Sequence, residues 1–114
     1  MTIVNDTLKT AEYIVYEANG TRSRDTVAGV LGSTVLPAGT ILGQLTADDT
    51  FVPYDEAAAT GAETVSGILF EGQSGTKDIV ITARDTEVVL SKLTYTGTEA
   101  TVVAGLKALG IITR

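Results

Sequence analysis

Short apolar runs separated by turn residues dominate the chain from residue 13 onward. The run YIVYEA at 13–18 is rich in β-branched and aromatic side chains, which favours a strand. The segment TVAGVLGSTVLPAGTILGQL at 26–45 alternates apolar runs with Gly-Ser and Pro-Ala-Gly, which predicts strand, turn, strand, turn, strand. The run FVPY at 51–54 predicts a further strand, and Pro53 limits it to a sheet edge or a strand end.

The second half of the chain continues this pattern and ends in a helix. The apolar run VSGILF at 65–70 predicts a strand, and EGQSGTK at 71–77 predicts a flexible loop. The segment 78–95 predicts a strand, a turn at Arg84-Asp85 and a second apolar stretch.

The C-terminal segment predicts an α-helix, with Thr98 as N-cap, Glu99 in the first turn and Gly110 as the stop. Its apolar residues fall on one face at helical spacing, namely Val102, Val103, Leu106 and Leu109. The run IIT after Gly110 predicts a final short strand. Residues 1–12 are polar and mixed, which predicts a mobile tail. We therefore expect a small single domain that is β-rich, either mainly β or α+β, with one C-terminal helix and a flexible N-terminal arm.

The amino-acid composition excludes several classes of function. The 114 residues suffice for one compact domain, and the formal net charge of −6 disfavours binding to nucleic acid. The chain has no Cys and no His, which excludes disulfides, thiolate metal sites and histidine-assisted catalysis. No apolar run approaches the ~20 residues of a membrane-spanning helix, and no secretory signal is visible. We therefore expect a soluble protein made in the cytosol, without a membrane partner.

The candidate chemistry in the sequence is weak. The carboxylates at 48–49 and 55–56 do not have the spacing of an EF-hand, so a solvated acidic loop is favoured over a metal site. The serines lack a histidine to activate them, and GQSGTK lacks the glycine spacing of a phosphate loop. The sequons at Asn5 and Asn19 lack a secretory context. The sequence thus favours a non-enzymatic binding or structural protein with no cofactor, no metal and no small-molecule substrate.

The stretch EANGTRSRDTV at 17–27 leaves two interpretations open. Asn19-Gly20 is a turn signal, and Arg22 and Arg24 project to one face of an extended chain. The two arginines are either solvated side chains beside a turn or contacts to a partner.

Several blocks of the sequence together resemble a known family. They are EANG followed by Arg22-Ser23-Arg24, the turn LPAGTILG at 36–43, the segments 54–72 and 79–95, and a helix followed by GIITR at 110–114. In this order and spacing, over about residues 14–114, the chain resembles the bacteriophage lambda-type head decoration proteins of phages and prophages. The resemblance implies a small β-rich fold that assembles as a homotrimer.

The resemblance also implies a location and a task. Trimers of this family sit at local threefold axes on the outer surface of the expanded capsid. There they hold neighbouring major capsid protein subunits together against the pressure of internal DNA. The protein would be made in the bacterial host cytoplasm and carried on the virion. We also weigh two alternatives, another phage structural β-module of the tail or baseplate, and a small ligand-binding barrel or enzyme.

The same resemblance divides the chain into an N-terminal arm at 1–24, mobile in the free protein, and a β-rich core at 25–114. The arm would add as a strand beside the capsid protein, with Ile14 and Tyr16 on one face and Tyr13 and Val15 on the other. The predicted capsid-binding residues are Tyr13, Ile14, Val15, Tyr16, Glu17, Ala18, Asn19, Arg22, Ser23 and Arg24. We expect deletion of 1–24 to leave a folded core that no longer binds expanded capsids.

Overall fold

A computed structural model gives the fold and describes residues 13–17 and 23–114. It contains a closed barrel, a separate three-stranded sheet and a helix near the C-terminal end. In chain order the elements are β1 (Ile14–Glu17), β2 (Arg24–Val30), β3 (Ile41–Gln44), β4 (Phe51–Pro53), β5 (Val65–Leu69), β6 (Thr76–Thr82), β7 (Thr86–Val88), a 3₁₀ turn (Leu90–Lys92), α1 (Glu99–Ala108) and β8 (Ile111–Thr113). The predicted β-rich class with a C-terminal helix is confirmed.

The barrel closes in the order β2, β4, β3, β5, β6 and returns to β2. Strand β2 pairs antiparallel with β6 along its whole length, whereas it meets β4 in parallel at the single pair Gly29 and Phe51. Apolar side chains from the strands and the adjoining loops fill the interior, namely Leu31, Leu42, Phe51, Leu69, Ile79, Ile81 and Ala83. The barrel is therefore a packed core.

A second core lies between the outside of the barrel, the three-stranded sheet and α1. In that sheet β7 is central, with β1 antiparallel on one side and β8 parallel on the other. The buried residues of this core are Tyr13, Ala38, Ile41, Tyr54, Val65, Ile68, Val88, Leu93, Val102, Leu106 and Ile111.

Strands β3 and β5 are buried on both faces. Ile41 and Ile68 point into the second core, while their neighbours Leu42 and Leu69 point into the barrel. Successive side chains of a strand alternate between faces, so a stretch of strand between two cores has apolar side chains at consecutive positions. This explains why Ile68 and Leu69 follow each other in the run VSGILF.

A carboxylate from the loop after β4 holds the start of α1. Glu56 accepts hydrogen bonds from the backbone N–H of Thr98 at 2.8 Å and from its hydroxyl at 3.1 Å. Thr98 occupies the predicted N-cap position, but its side chain makes no capping bond and turns to Glu56 instead. Negative charge at a helix N-terminus is favourable, and Thr98 holds the pKa of Glu56 below its usual range through these two bonds.

The segment 26–45 differs from its prediction in one place. The expected middle strand is reduced to an isolated bridge between Leu36 and Gln73, which lies in the loop predicted to be flexible. Pro53 ends β4, as expected of a proline in a strand. The helices in the described part of the chain are too short or too polar to cross a bilayer.

Close approach of α1 to the barrel depends on Gly105. A Cβ on Gly105 would lie 2.7 Å from Cβ of Val65 in β5, closer than two carbon atoms pack. We expect Gly105→Val to lower the free energy of unfolding by about 1–3 kcal/mol through overpacking. Urea denaturation measures this, with Ala104→Val on the exposed side of α1 as the control. The control should cost no more than about 0.7 kcal/mol, and an equal loss in both variants would contradict this packing.

Candidate functional site

Tyr13 anchors the first described residues to the barrel. Its side chain is completely buried, and its hydroxyl lies 2.6 Å from Oγ1 of the equally buried Thr82 in β6. Its carbonyl accepts a hydrogen bond of 2.8 Å from the N–H of Val89, which continues the pairing of β1 with β7. Burial raises the pKa of Tyr13, so the phenol is neutral and available for this bond.

A second set of contacts closes the loop between β1 and β2. The carboxylate of Glu17 accepts two hydrogen bonds from the guanidinium of Arg24, both 2.7 Å long, and one of 2.6 Å from the hydroxyl of Ser23. The hydrogen bond from Arg24 lowers the pKa of Glu17, and burial partly opposes this. Bidentate pairs of this kind are strong and geometrically specific, so they fix the two ends of the loop. We call Glu17, Ser23 and Arg24 the loop clamp.

The loop clamp is itself attached to the barrel. The guanidinium carbon of Arg24 lies 4.3 Å from the ring centre of Phe70, a cation–π contact. Ser23 is buried, and its carbonyl accepts a hydrogen bond of 2.7 Å from the N–H of Ala83. The clamp therefore joins β1, β2 and the end of β6.

The ten predicted capsid-binding residues fall into three groups. Tyr13, Glu17, Ser23 and Arg24 have the internal contacts just described, and Ile14 is half-buried against the second core. The backbone of Val15 and Tyr16 belongs to β1. The side chains of these two residues lie outside the described part of the chain, as do Ala18, Asn19 and Arg22. Capsid contact by all ten residues stays a prediction. The internal contacts of Tyr13, Glu17, Ser23 and Arg24 favour a structural role for these four side chains.

Strand β1 is less regular than the sequence pattern suggests. Tyr13 and Ile14 both pack on the second core, although they were expected on opposite faces. Tyr13 precedes β1 and so need not follow its alternation, and the register of β1 against β7 shifts further along, between Ile14 and Tyr16. A boundary between arm and core at residue 24 stays a prediction for the free protein. In this structure Tyr13 and Ile14 pack on the second core, and Ser23 and Arg24 contact Ala83 and Phe70.

The partners that hold this region are hard to find in the sequence. Thr82 and Phe70 are distant in the chain from the residues they contact, and no local pattern marks them. The pairing of Glu17 and Arg24 has a signal, since opposite charges stand on both sides of the turn residues Asn19-Gly20. Our interpretation of Arg24 as a solvated side chain or a partner contact missed this internal pair.

The pairing of Glu17 should appear in the pH dependence of stability. The pKa of Glu17 in the folded state lies below its unfolded value, so the clamp stabilises the fold at neutral pH. That contribution is lost as the pH falls through the folded pKa.

We expect Glu17→Gln to lower the Tm at pH 7 and to lower it much less at about pH 3. Thermal unfolding followed by circular dichroism measures both, with Glu71→Gln on the exposed Glu71 as control. A pH-independent difference between wild type and Glu17→Gln would contradict the charged pair.

Outside the loop clamp, the carboxylates of Asp48 and Asp55 bond to their own loops. Within the described ranges, no cluster of three or more His, Cys, Asp or Glu side chains is suited to hold a metal ion. Asp48 accepts hydrogen bonds from the backbone and hydroxyl of Thr50, and Asp55 accepts one from the N–H of Ala57. These carboxylates order their own loops, as short acidic side chains commonly do.

Comparison with known proteins gives one family. The family model of bacteriophage lambda head decoration protein D matches residues 3–111 of the 114-residue chain. The match includes both cores, the loop clamp and most of the segment before Tyr13. Among curated proteins, none matches the chain.

Proposed function

The chain belongs to the bacteriophage lambda head decoration protein D family, and we propose that it binds the outer surface of the expanded phage head as a homotrimer. The family consists of structural proteins of the phage capsid and is not an enzyme family. In this proposal the trimers occupy local threefold positions and contact the major capsid protein. They stabilise the shell of a phage or prophage against DNA pressure after synthesis in the host cytoplasm. The family match over 3–111 carries the proposal.

The proposed docking element is the N-terminal segment. Residues 1–12 precede Tyr13, which is anchored to the core through its buried hydroxyl and its paired carbonyl. An extended segment can add a strand to an exposed sheet edge, where backbone hydrogen bonds supply the affinity. We propose residues 1–12 as the docking strand and residues 13–24 as its base.

The energetics favour a multivalent assembly. Ordering an extended segment costs roughly 1–2 kcal/mol per residue in backbone entropy, which leaves one segment with a modest net affinity. In a trimer, the second and third segments dock from a high effective concentration, so avidity exceeds the affinity of each segment. The net charge of −6 suits a site outside the shell, away from packaged DNA.

Co-sedimentation with heads tests the proposal. Purified protein is incubated with expanded, undecorated heads of the phage that encodes it, and separately with unexpanded proheads. We expect saturable binding to the expanded heads alone, and an increase in the temperature at which filled heads release their DNA. Equal binding to both particles, or binding to neither, would contradict a decoration role.

A further inference from the structure

The loop after β2 and the loop before β6 lie side by side at one end of the barrel, and we call residues 30–36 and 72–76 the barrel tip. Leu36 and Gln73 exchange two backbone hydrogen bonds, of 2.8 and 3.1 Å. Two more, of 2.9 and 2.7 Å, join Gly75 to the first loop. These bonds continue the pairing of β2 with β6, so the barrel tip is a defined surface of the barrel.

The barrel tip exposes apolar side chains to solvent. Val35 is 61 % exposed and Val30 is 40 % exposed. Elsewhere in the described part of the chain, the large apolar residue with comparable exposure is Ile112 in β8, at 50 %. A single exposed apolar residue is ordinary, whereas two on one small surface indicate a face that another surface covers.

The barrel tip contains no charged residue. Residues 30–36 and 72–76 lack Asp, Glu, Lys and Arg, and the first of these segments lies within a longer uncharged stretch at 26–47. The second segment is flanked by Glu71 and Lys77, which have opposite signs. The chain as a whole has a formal net charge of −6. Since the centres of protein interfaces are depleted of charge, the barrel tip has the composition of such a centre.

The absence of charge indicates which partner the barrel tip fits. Around a threefold axis the same residue of three copies comes together, so a carboxylate there would face two like charges. An acidic chain therefore packs against its own copies most readily through an uncharged surface. A different protein would be matched by charges of opposite sign, which the barrel tip does not offer. The barrel tip thus fits further copies of this chain better than a foreign protein.

We propose that the barrel tips of three copies meet at the threefold axis of the homotrimer. This inference rests on the proposed function and assigns the surface through which the copies associate. Val35 of each copy contacts Val35 of the other two, and Val30 extends the apolar contact away from the axis. The hydroxyls of Ser33 and Thr34 supply hydrogen bonds between copies without adding charge.

A charge placed on the barrel tip tests the proposal. Val35→Glu puts three carboxylates at the axis, and Ile112→Glu makes the same change at the exposed residue outside the barrel tip. We expect Val35→Glu to weaken self-association about 100-fold or more, because like charges meet at the axis. Ile112→Glu should associate within about twofold of wild type. Sedimentation velocity over a concentration series measures the association, and thermal unfolding checks that the fold is unchanged.

Cysteine cross-linking tests the same contact on decorated heads. The chain has no Cys, so Val35→Cys and Ile112→Cys each have one thiol per copy. A disulfide requires the two Cα atoms to lie within about 7 Å of each other, so its formation shows that residue 35 is close to its own copy. With a mild oxidant, on expanded heads and in free solution, we expect covalent dimers of Val35→Cys on a non-reducing gel and few of Ile112→Cys.

The outcomes separate this inference from the proposed function. If wild type binds heads, Val35→Glu associates like wild type and Val35→Cys forms no dimers, the barrel tip is not at the axis and the decoration role stands. If wild type is monomeric in solution but binds heads, the cross-linking on heads decides. If wild type neither associates nor binds, the proposed function fails and this inference fails with it.

Two further results overturn the inference alone. Dissociation or cross-linking of the Ile112 variants in place of the Val35 variants places the contact between copies at β8. Loss of head binding by Val35→Glu with unchanged self-association shows that the barrel tip contacts the capsid protein.

Discussion

Tyr13→Ala should lower the free energy of unfolding by about 3–5 kcal/mol, the usual cost of truncating a fully buried aromatic side chain. Tyr13 is completely buried and joins β1 to β6 through Thr82, so its loss leaves a cavity and an unpaired hydroxyl in the second core. Urea denaturation followed by circular dichroism measures the change. Because typical small domains are stable by roughly 5–15 kcal/mol, this variant should be close to unfolding at 37 °C.

Tyr13→Phe is the matched control. It keeps the ring and removes the hydroxyl, which leaves the Oγ1 of Thr82 without its partner at a cost of about 1–3 kcal/mol. An unfolding curve of Tyr13→Ala identical to wild type would show that Tyr13 lies outside the core in solution. Residue 13 would then belong to a mobile arm, as the predicted boundary at residue 24 requires.

Two truncations should separate docking from folding. The first variant lacks residues 1–12 and has an initiator Met before Tyr13. We expect it to retain the wild-type Tm within a few degrees. We expect its binding to expanded heads to weaken at least about 100-fold, since all docking strands of the assembly are lost. Deletion of 1–24 also removes β1, Tyr13 and the loop clamp, so it should lower stability by several kcal/mol.

Thermal unfolding measures the change in stability, and co-sedimentation with heads measures the change in binding, so the two effects are separated. If the 1–12 deletion decorates heads as well as the full chain, those residues are not the docking strand. If the 1–24 deletion still unfolds cooperatively, our expectation of a core at 25–114 that folds alone is correct, even where its stability is lower than that of the full chain. A second outcome is a 1–24 deletion that is as stable as the full chain. The contacts of Tyr13 and Glu17 would then contribute little to the fold.

Local patterns of the sequence predict most of the elements. Apolar spacing and the stop at Gly110 predict α1, and Gly110 has a φ of 83°, the left-handed conformation that glycine adopts at little cost. The turn at Arg84-Asp85 separates β6 from β7 as expected. These features depend on residues within a few positions of one another, so they can be predicted from a single sequence.

Contacts between distant residues cannot be predicted in the same way. Closure of the barrel requires β2 to pair with β6, and the hydrogen bond of Glu56 to Thr98 spans 42 residues. The bond between Tyr13 and Thr82 spans 69 residues. The strand YIVYEA is apolar enough either to dock on a partner or to pack on its own core, and periodicity does not distinguish these cases. The contacts of Tyr13 and Glu17 within the chain therefore became visible only in the structure.

The most direct test of the central claim is a three-dimensional image reconstruction of expanded, undecorated heads saturated with the full-length protein. Our account predicts protruding density at every local threefold position of the outer surface, with three copies of the barrel in each protrusion. Continuous density should lead from the end of each small sheet at Tyr13 to the major capsid protein. Absence of bound protein, or density confined to the tail, the portal or the inner surface, would contradict the account.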